Sequence, residues 1–578
     1  VRRDPNVSRF AASRLSPERR ATDLLRLAGE RFDVVIIGGG VTGAGAAVDA
    51  ASRGLSVALV EARDLAAGTS SRSSKLIHGG LRYLEQLEFG LVHEALRERG
   101  LLATRLAPHL VRPVPFLLPL NGLWRRAYYG SGVALYDVFA GLVGPGRGMP
   151  AHRHLTRTGA RRIFPSLRED ALTGAIRYHD GQVDDARFVV TLARTAASLG
   201  ATVVTGARVV DLLRDAREIT GVRLEVGDTS FEVRARTVIG AVGVWSSELS
   251  ELLRDPFLQG LTVRASKGVH IVVPRSTITG DAGLILPTAT SVLFVIPWGG
   301  HWIIGTTDTD WPLDRANPAA SARDIEYLLT QVNAVLDRPL STSDIEGVYA
   351  GLRPLLSIES AAGDTSALSR THAVVEPMLG LMLVAGGKYT TYRVMAADVV
   401  DRAARRLGGL RRHGGLVPDS GTANLPLLGA DGYRPMWTNR ADLARRYGVA
   451  VGVTEHLLER YGSLTPQLLG LLSTDPELAR PVAGAPEYLA AEVAYAALAE
   501  GARHLDDVLV RRTRIGIETP HRGTESAEHT ARILGPVLGW DTATRRGEVD
   551  RYAAGVEAER RSQSMPDDAL ALRAGLVP

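Results

Sequence analysis

Cysteine is absent from the 578-residue chain, which excludes disulfides, thiolate nucleophiles, iron–sulfur ligation and cysteinyl-linked cofactors together. Long apolar runs are missing as well. No stretch of about 18 consecutive apolar residues occurs, which argues against a membrane-spanning helix. The most apolar candidate, residues 101–120, is broken by Arg105, His109, Arg112 and Pro113. The first thirty residues are rich in arginine and lack the apolar core of a secretory signal, so cytosolic synthesis and residence are expected. Lysine is nearly absent too. Of 68 basic residues only Lys75, Lys267 and Lys388 are lysines; all the others are arginines. Lysine is a compact, tunable point charge and arginine a planar fixed one, so lysines that persist here mark positions where the difference matters. The formal charge of +5 is small for this length. It permits anionic substrates or lipid headgroups but does not point to nucleic acid.

What is present reads as an α/β protein of two or three domains. Asp33–Ile37 is a short β-branched strand, a Gly- and Ala-rich helix is expected from Val41 to Arg53, and Ser56–Val60 is the next strand. Further strands are expected at 202–205, 237–241, 270–273, 293–296, 302–304 and 381–384. After about Leu407 a Gly/Pro/Ser-rich passage leads into helical patterns such as 486–505 and 524–538. Residues 1–30 read as an extension ending in a short helix.

Gly38, Gly40 and Gly43 form a G-x-G-x-x-G pattern between the first strand and the helix, with Glu61 closing the second strand. The spacing is that of a dinucleotide fingerprint. The glycines allow backbone to approach a pyrophosphate, the helix N-terminus supplies dipole and free N–H groups, and the acidic residue accepts from an unphosphorylated ribose. The fingerprint by itself fits FAD or NAD. Two later segments resemble parts of two-domain flavoproteins and favour FAD. TVIGAVGVW (237–245) resembles the second glycine-bearing turn, and LVAGGKYTT (383–391) a late helix start that faces the flavin pyrimidine.

The most specific segment is SSRSSKLIHGGLRYLE (70–85). With KGVHIVVP (267–274), GTTD (305–308), GLRP (351–354), GGKYTTYR (386–393), LPLLG (425–429) and LDDVLVRRTR (505–514), the chain resembles the FAD-dependent glycerol-3-phosphate dehydrogenases of the aerobic, membrane-associated type. The resemblance implies a two-domain flavoprotein: a Rossmann-type FAD domain, a β-sheet substrate or cap domain, and an all-α C-terminal domain. The implied division is 31–110, 180–260 and 345–406 for the FAD domain, 111–179 and 261–344 for the substrate domain, 407–426 for a linker and 427–578 for the helical domain.

The resemblance also implies roles. Gly38, Gly40, Gly43, Glu61 and Val209 belong to the cofactor site, as do Ser70, Ser74, Lys75, Leu76, His78 and Gly79 of the serine loop. Gly243, Trp245, Gly387, Lys388 and Thr390 complete that set. Arg82, Tyr83, Arg353 and Arg370 are expected around the substrate phosphate, which suits paired arginine forks. His270 is the first choice for the base that takes the hydroxyl proton, with Lys388 holding the C2 oxygen; the two could exchange roles. The implied reaction converts sn-glycerol 3-phosphate to dihydroxyacetone phosphate, with electrons passing through FAD to a membrane quinone. Peripheral contact with the cytoplasmic face of the cell membrane and a homodimer are implied likewise. The segment 123–129, which mixes aromatic and basic residues, is the candidate interfacial element. No metal is expected, and no EF-hand loop is present. The nearest rival is an oxidase of the same fold using dioxygen. An amine or amino-acid oxidase would need one carboxylate clamp in place of several arginines. An inert flavin-binding scaffold would have no use for Lys388, His270 and Arg353 together.

Overall fold

A computed structural model describes residues 5–80, 88–121, 149–254, 261–288, 292–356, 371–409 and 415–576. Its first sheet has eight strands. At its centre Arg31–Ile37 runs parallel to Val57–Val60 on one side and to Thr229–Gly240 on the other. Arg31–Ile37, apart from its first residue, and Val57–Val60 are buried on both faces, as the run of β-branched residues requires, and so is the last third of Thr229–Gly240. Ile37 is in register with both Val60 and Gly240, so Gly38, Glu61 and Ala241 leave the sheet at one carboxyl edge. That edge is where open α/β sheets bind ligands.

The helix Val41–Ser52 is rich in small residues because it is packed between two other helices, Asp185–Ser198 and Tyr392–Arg406. A Cβ on Gly45 would come within 2.7 Å of the Tyr392 ring. A β-meander, Arg208–Asp215, Glu218–Val226 and Thr229–Gly240, leads into the third central strand.

The second sheet has ten strands and is mostly antiparallel. Val263–Pro274 pairs along its length with Gly347–Leu356, setting Ser266 opposite Arg353, Gly268 opposite Gly351 and His270 opposite Tyr349. On its other side His270 faces Gly305. The period-2 geometry of the strand puts Ser266, Gly268 and His270 on one face and sends Lys267 and Val269 to the other. The amphipathic helix Ala322–Asn333 covers that other face.

Two boundaries differ from the sequence-based division. Gly347–Leu356, expected in the FAD domain, is a strand of the second sheet. Leu76–Ile77 crosses over in the same way, pairing with Gly174–Gln182. The N-terminal segment is also more than an extension. It forms the helices Pro5–Ala12 and Pro17–Gly29, the latter capped by Ser16. Arg19 and Arg20 donate to the carbonyls of Ala201 and Thr205 at 3.2 and 2.5 Å, which docks the second helix on the edge strand Thr202–Val204.

The C-terminal domain is helical, with Ala490–Glu500, Thr524–Leu538 and Thr542–Gln563 at its core. The helix expected over 486–505 is shorter than anticipated. Its first residues belong to a small hairpin, Pro481–Val482 with Ala485–Leu489, and Gly501 closes the helix in a left-handed conformation.

Candidate active site

A cavity of about 1420 Å3 runs from the glycine turn at the edge of the first sheet to the face of the second. That exceeds the roughly 300–1,000 Å3 of an ordinary small-ligand pocket. At one end lie Gly38, Gly40, Glu61, Val209, Gly243 and Trp245; at the other lie Ser74, His270 and Arg353, and Lys388 also lines the cavity.

The glycine turn is tight for a stated reason. Gly38 sits at φ +110°, where a Cβ would lie 2.5 Å from the Ala241 carbonyl oxygen. Gly43 does not line the cavity; a Cβ there would lie 1.9 Å from the Gly38 carbonyl oxygen, so it sets how closely helix and strand approach. The Glu61 carboxylate accepts from the Gly39 and Arg63 N–H groups at 2.7 and 2.8 Å. Burial pushes its carboxyl up against those bonds. The helix begins at Gly40 with no side-chain cap, and Ser70 Oγ accepts from the Val41 N–H at 3.0 Å. The Arg63 guanidinium lies 5.2 Å from the Trp245 ring centroid. A cradle in which any side chain would clash, an acidic ribose partner and a cavity of dinucleotide size fit FAD.

The serine loop connects the two ends. Ser74, Leu76 and His78 line the cavity, whereas Lys75 points away from it. Lys75 adopts a left-handed backbone (φ 57°), which costs a non-glycine residue about 1–2 kcal/mol. Its buried ammonium donates to Asp185 Oδ1 at 2.8 Å and to the Ser71 carbonyl at 3.2 Å. Gly79 is likewise occupied, its N–H donating to Asp180 at 3.2 Å, and Thr390 Oγ1 donates to the His78 carbonyl at 3.2 Å. These three residues shape the loop from behind.

At the far end His270 Nε2 is 2.8 Å from Ser74 Oγ. Its Nδ1 is sealed from solvent with no hydrogen-bond partner among the described residues, so Nε2 is the nitrogen that can exchange a proton with a ligand. Burial, then the charges of Arg353 and Lys75, hold the imidazole pKa well below its ordinary value. Arg353 is aimed by four acceptors: Ser266 Oγ and Asp308 at 3.3 Å, and Thr306 Oγ1 and the Thr307 carbonyl at 3.0 Å. Gly268 makes room for it, since a Cβ there would lie 2.7 Å from Nη2. Lys388 follows Gly386 and Gly387, both in the left-handed region, and precedes the turn Tyr389–Thr391 that opens the helix Tyr392–Arg406.

Of the three lysines, only Lys388 reaches the cavity. Lys267 is buried on the opposite face of its strand, 2.6 Å from Asp324 and 2.5 Å from Asp568. A compact charge matters there, as at Lys75, but for a buried ion pair. Arg82, Tyr83 and Arg370 lie outside the described residues. Tyr349 was missed in the sequence, although it alternates with Gly351 and Arg353 on one strand face; Asp180 and Asp185 carried no local signal.

Comparison with known proteins agrees with this arrangement. The family model described as FAD dependent oxidoreductase matches residues 33–393, and that described as the C-terminal domain of alpha-glycerophosphate oxidase matches 420–545. Fold and site thus define an FAD-dependent oxidoreductase. Glycerol-3-phosphate dehydrogenase 2 of Mycobacterium tuberculosis is 54% identical over 566 residues, covering 97% of this chain and 94% of the relative. The glycerol-3-phosphate dehydrogenase of Mycobacterium leprae is 52% identical over the same shares. The crystal structure of glycerol-3-phosphate dehydrogenase from Bacillus halodurans, complexed with FAD, superposes with a TM-score of 0.75 at 26% identity, covering 94% of this chain and 98% of that one. The chain belongs to the FAD-dependent glycerol-3-phosphate dehydrogenase family.

Proposed function

We propose that the protein oxidises sn-glycerol 3-phosphate to dihydroxyacetone phosphate and that its electrons pass to a membrane quinone. The observation that carries the reading is that His270, Arg353 and Lys388 line the same cavity as the dinucleotide turn. When bound, FAD supplies the acceptor for the hydride from C2. Arg353, with Arg82 and Arg370, grips the phosphate dianion through guanidinium forks. His270, neutral at physiological pH, takes the hydroxyl proton at Nε2 as the C2 hydride departs. Lys388 stabilises the alkoxide character that develops at the C2 oxygen. The remaining cofactor assignments, from Ser70 and Leu76 to Trp245 and Gly387, are part of the same proposal.

The quinone half of the proposal has its own support. Leu118, Tyr178, Ile285, Val292 and Phe294 give the same cavity an apolar wall on the second sheet. A phosphorylated triol has no use for such a wall, whereas a quinone ring does. A lipid-soluble acceptor is met at the cytoplasmic face of the membrane, so peripheral contact belongs to the reading. Among the described residues no helix is long and apolar enough to cross a membrane. The candidate interfacial segment 123–129 lies outside them.

Anaerobic stopped-flow absorbance of the flavin-loaded protein mixed with glycerol 3-phosphate tests the reading. Rapid bleaching, fast reoxidation by a quinone analogue and slow reoxidation in air are expected. Fast reoxidation in air would make the protein an oxidase. Absence of bleaching would remove the substrate.

A further inference from the structure

Arg514 lies in the C-terminal domain, yet it is buried against the start of the helix Asp185–Ser198 in the first half of the chain. Its Nη2 donates to Asp185 Oδ1 at 2.5 Å and also to Asp184; Nε donates to Asp184 at 3.1 Å. Asp185 is a hub. Its Oδ2 accepts from the Ser73 N–H and Oγ at 2.9 and 2.7 Å, its Oδ1 accepts from Lys75, and its main-chain carbonyl accepts from the Tyr389 hydroxyl at 2.6 Å. Ser73 adjoins Ser74, which holds His270. Tyr389 adjoins Lys388. Asp185 therefore touches the neighbours of both candidate proton-handling residues, Ser73 through its carboxylate and Tyr389 through its main-chain carbonyl, and one guanidinium from another domain holds that carboxylate.

We propose that Arg514 is a positioning residue through which the C-terminal domain sets the placement of His270 and Lys388, by way of Asp185, the serine loop and Tyr389. The proposal deepens the glycerol-3-phosphate reading and rests on it for its substrate. A guanidinium can bridge two adjacent carboxylates in a fixed plane, which a point charge cannot. Without it, Asp184 keeps Arg460 and Asp185 keeps Lys75, but the two carboxylates lose the partner that joins them. Reacting groups misplaced by about 1 Å lose on the order of 100-fold in rate.

The experiment compares R514Q and R514K with R187Q as the matched control. Arg187 sits on the same helix and makes an equally buried ion pair with Glu500 of the C-terminal domain, and its side-chain partners, Glu500, Tyr461 and the Arg512 carbonyl, include no residue of the serine loop. Three readouts are taken on flavin-loaded protein: melting temperature, visible circular dichroism of the flavin without substrate, and the rate of bleaching by glycerol 3-phosphate per bound flavin. R187Q should melt earlier with unchanged dichroism and unchanged rate per flavin. R514Q should bleach roughly 10- to 100-fold more slowly per flavin, with half-saturation moved by less than about 3-fold and altered dichroism. R514K should recover part of the rate. If R514Q holds no flavin, R514K decides the matter by the same comparison. A rate and dichroism in the Arg514 variants equal to those of R187Q would overturn the proposal. If the wild-type protein is not bleached at all, the substrate reading fails, and the dichroism comparison still decides the role of Arg514.

Discussion

His270 and Tyr349 are stacked, with ring centroids 4.8 Å apart and 12° between their planes. The Tyr349 hydroxyl donates to the Ser73 carbonyl at 3.0 Å, so the tyrosine ties the imidazole to the same loop that binds its Nε2. Replacing His270 by Asn should lower bleaching by glycerol 3-phosphate roughly 100- to 10,000-fold with flavin content unchanged. Because burial depresses the His270 pKa, the base stays unprotonated down past pH 6.5, so the acid limb of kcat/KM should lie below that value. A wild-type rate in H270N would move the base to Lys388.

Gly305 faces His270 across the sheet, and a Cβ there would lie 2.3 Å from the imidazole Cδ2. G305A should push the ring off its stack and cut the bleaching rate by about 10-fold or more, with flavin retained. Stopped-flow reduction measured beside the flavin absorbance ratio checks it.

Arg353 is held by a ring of acceptors that fix its plane before a ligand arrives. R353K keeps the charge but loses the fork, and R353Q loses both. Charge-assisted bonds contribute about 1.5–3 kcal/mol, so half-saturation for glycerol 3-phosphate should rise roughly 10- to 100-fold in R353Q, and less in R353K. A titration of reduction rate against substrate concentration separates this from a loss of maximal rate.

Gly43 is set by packing alone. G43A places a methyl group against the Gly38 carbonyl oxygen and forces the helix Val41–Ser52 away from the strand. The expected product is a folded protein with little flavin, read from its absorbance spectrum and circular dichroism.

His109 is fully buried, and desolvation pushes its pKa down to about 3. The unfolded chain therefore takes up a proton near pH 6.5 that the folded chain refuses. Stability should be constant from this source above pH 6.5 and fall by about 1.4 kcal/mol per pH unit below it, until the folded pKa is reached. Denaturant unfolding from pH 7.5 to 5 should show a shallower slope for H109Q than for the wild type. Equal slopes would place the acid sensitivity elsewhere.

The parts of the molecule that were legible in the sequence are those whose chemistry is local. A β-branched run, three glycines at fixed offsets and an acid at the next strand end define a dinucleotide turn within thirty residues. His270, Arg353 and Lys388 were singled out through motif context, and all three line one cavity. The failures have a common physical cause. Lys75 was expected in the cofactor site and Lys267 only where lysine and arginine differ, and each answers a buried carboxylate, 110 and 57 residues away. Residues 347–356 were assigned with 345–406 to the FAD domain, and their pairing with Val263–Pro274 was not legible because a buried strand carries no mark of its partner. Residues 486–489 were read as helix because a short hairpin arm before an alanine-rich helix extends its apolar pattern. The Asp185 hub was invisible because its partners come from three separate stretches of chain.

The contact between Arg511, Arg512 and Asp64 has a consequence for biosynthesis. Both guanidiniums reach the same buried carboxylate, three residues past Glu61, across 447 and 448 residues of sequence. At roughly 5–20 residues per second, a ribosome needs on the order of half a minute to a minute and a half to span that distance. During that interval the nascent nucleotide-binding edge carries Asp64 with neither counter-charge, and a buried unpaired carboxylate is not tolerated. The edge must therefore stay open to water until Arg511 and Arg512 have emerged.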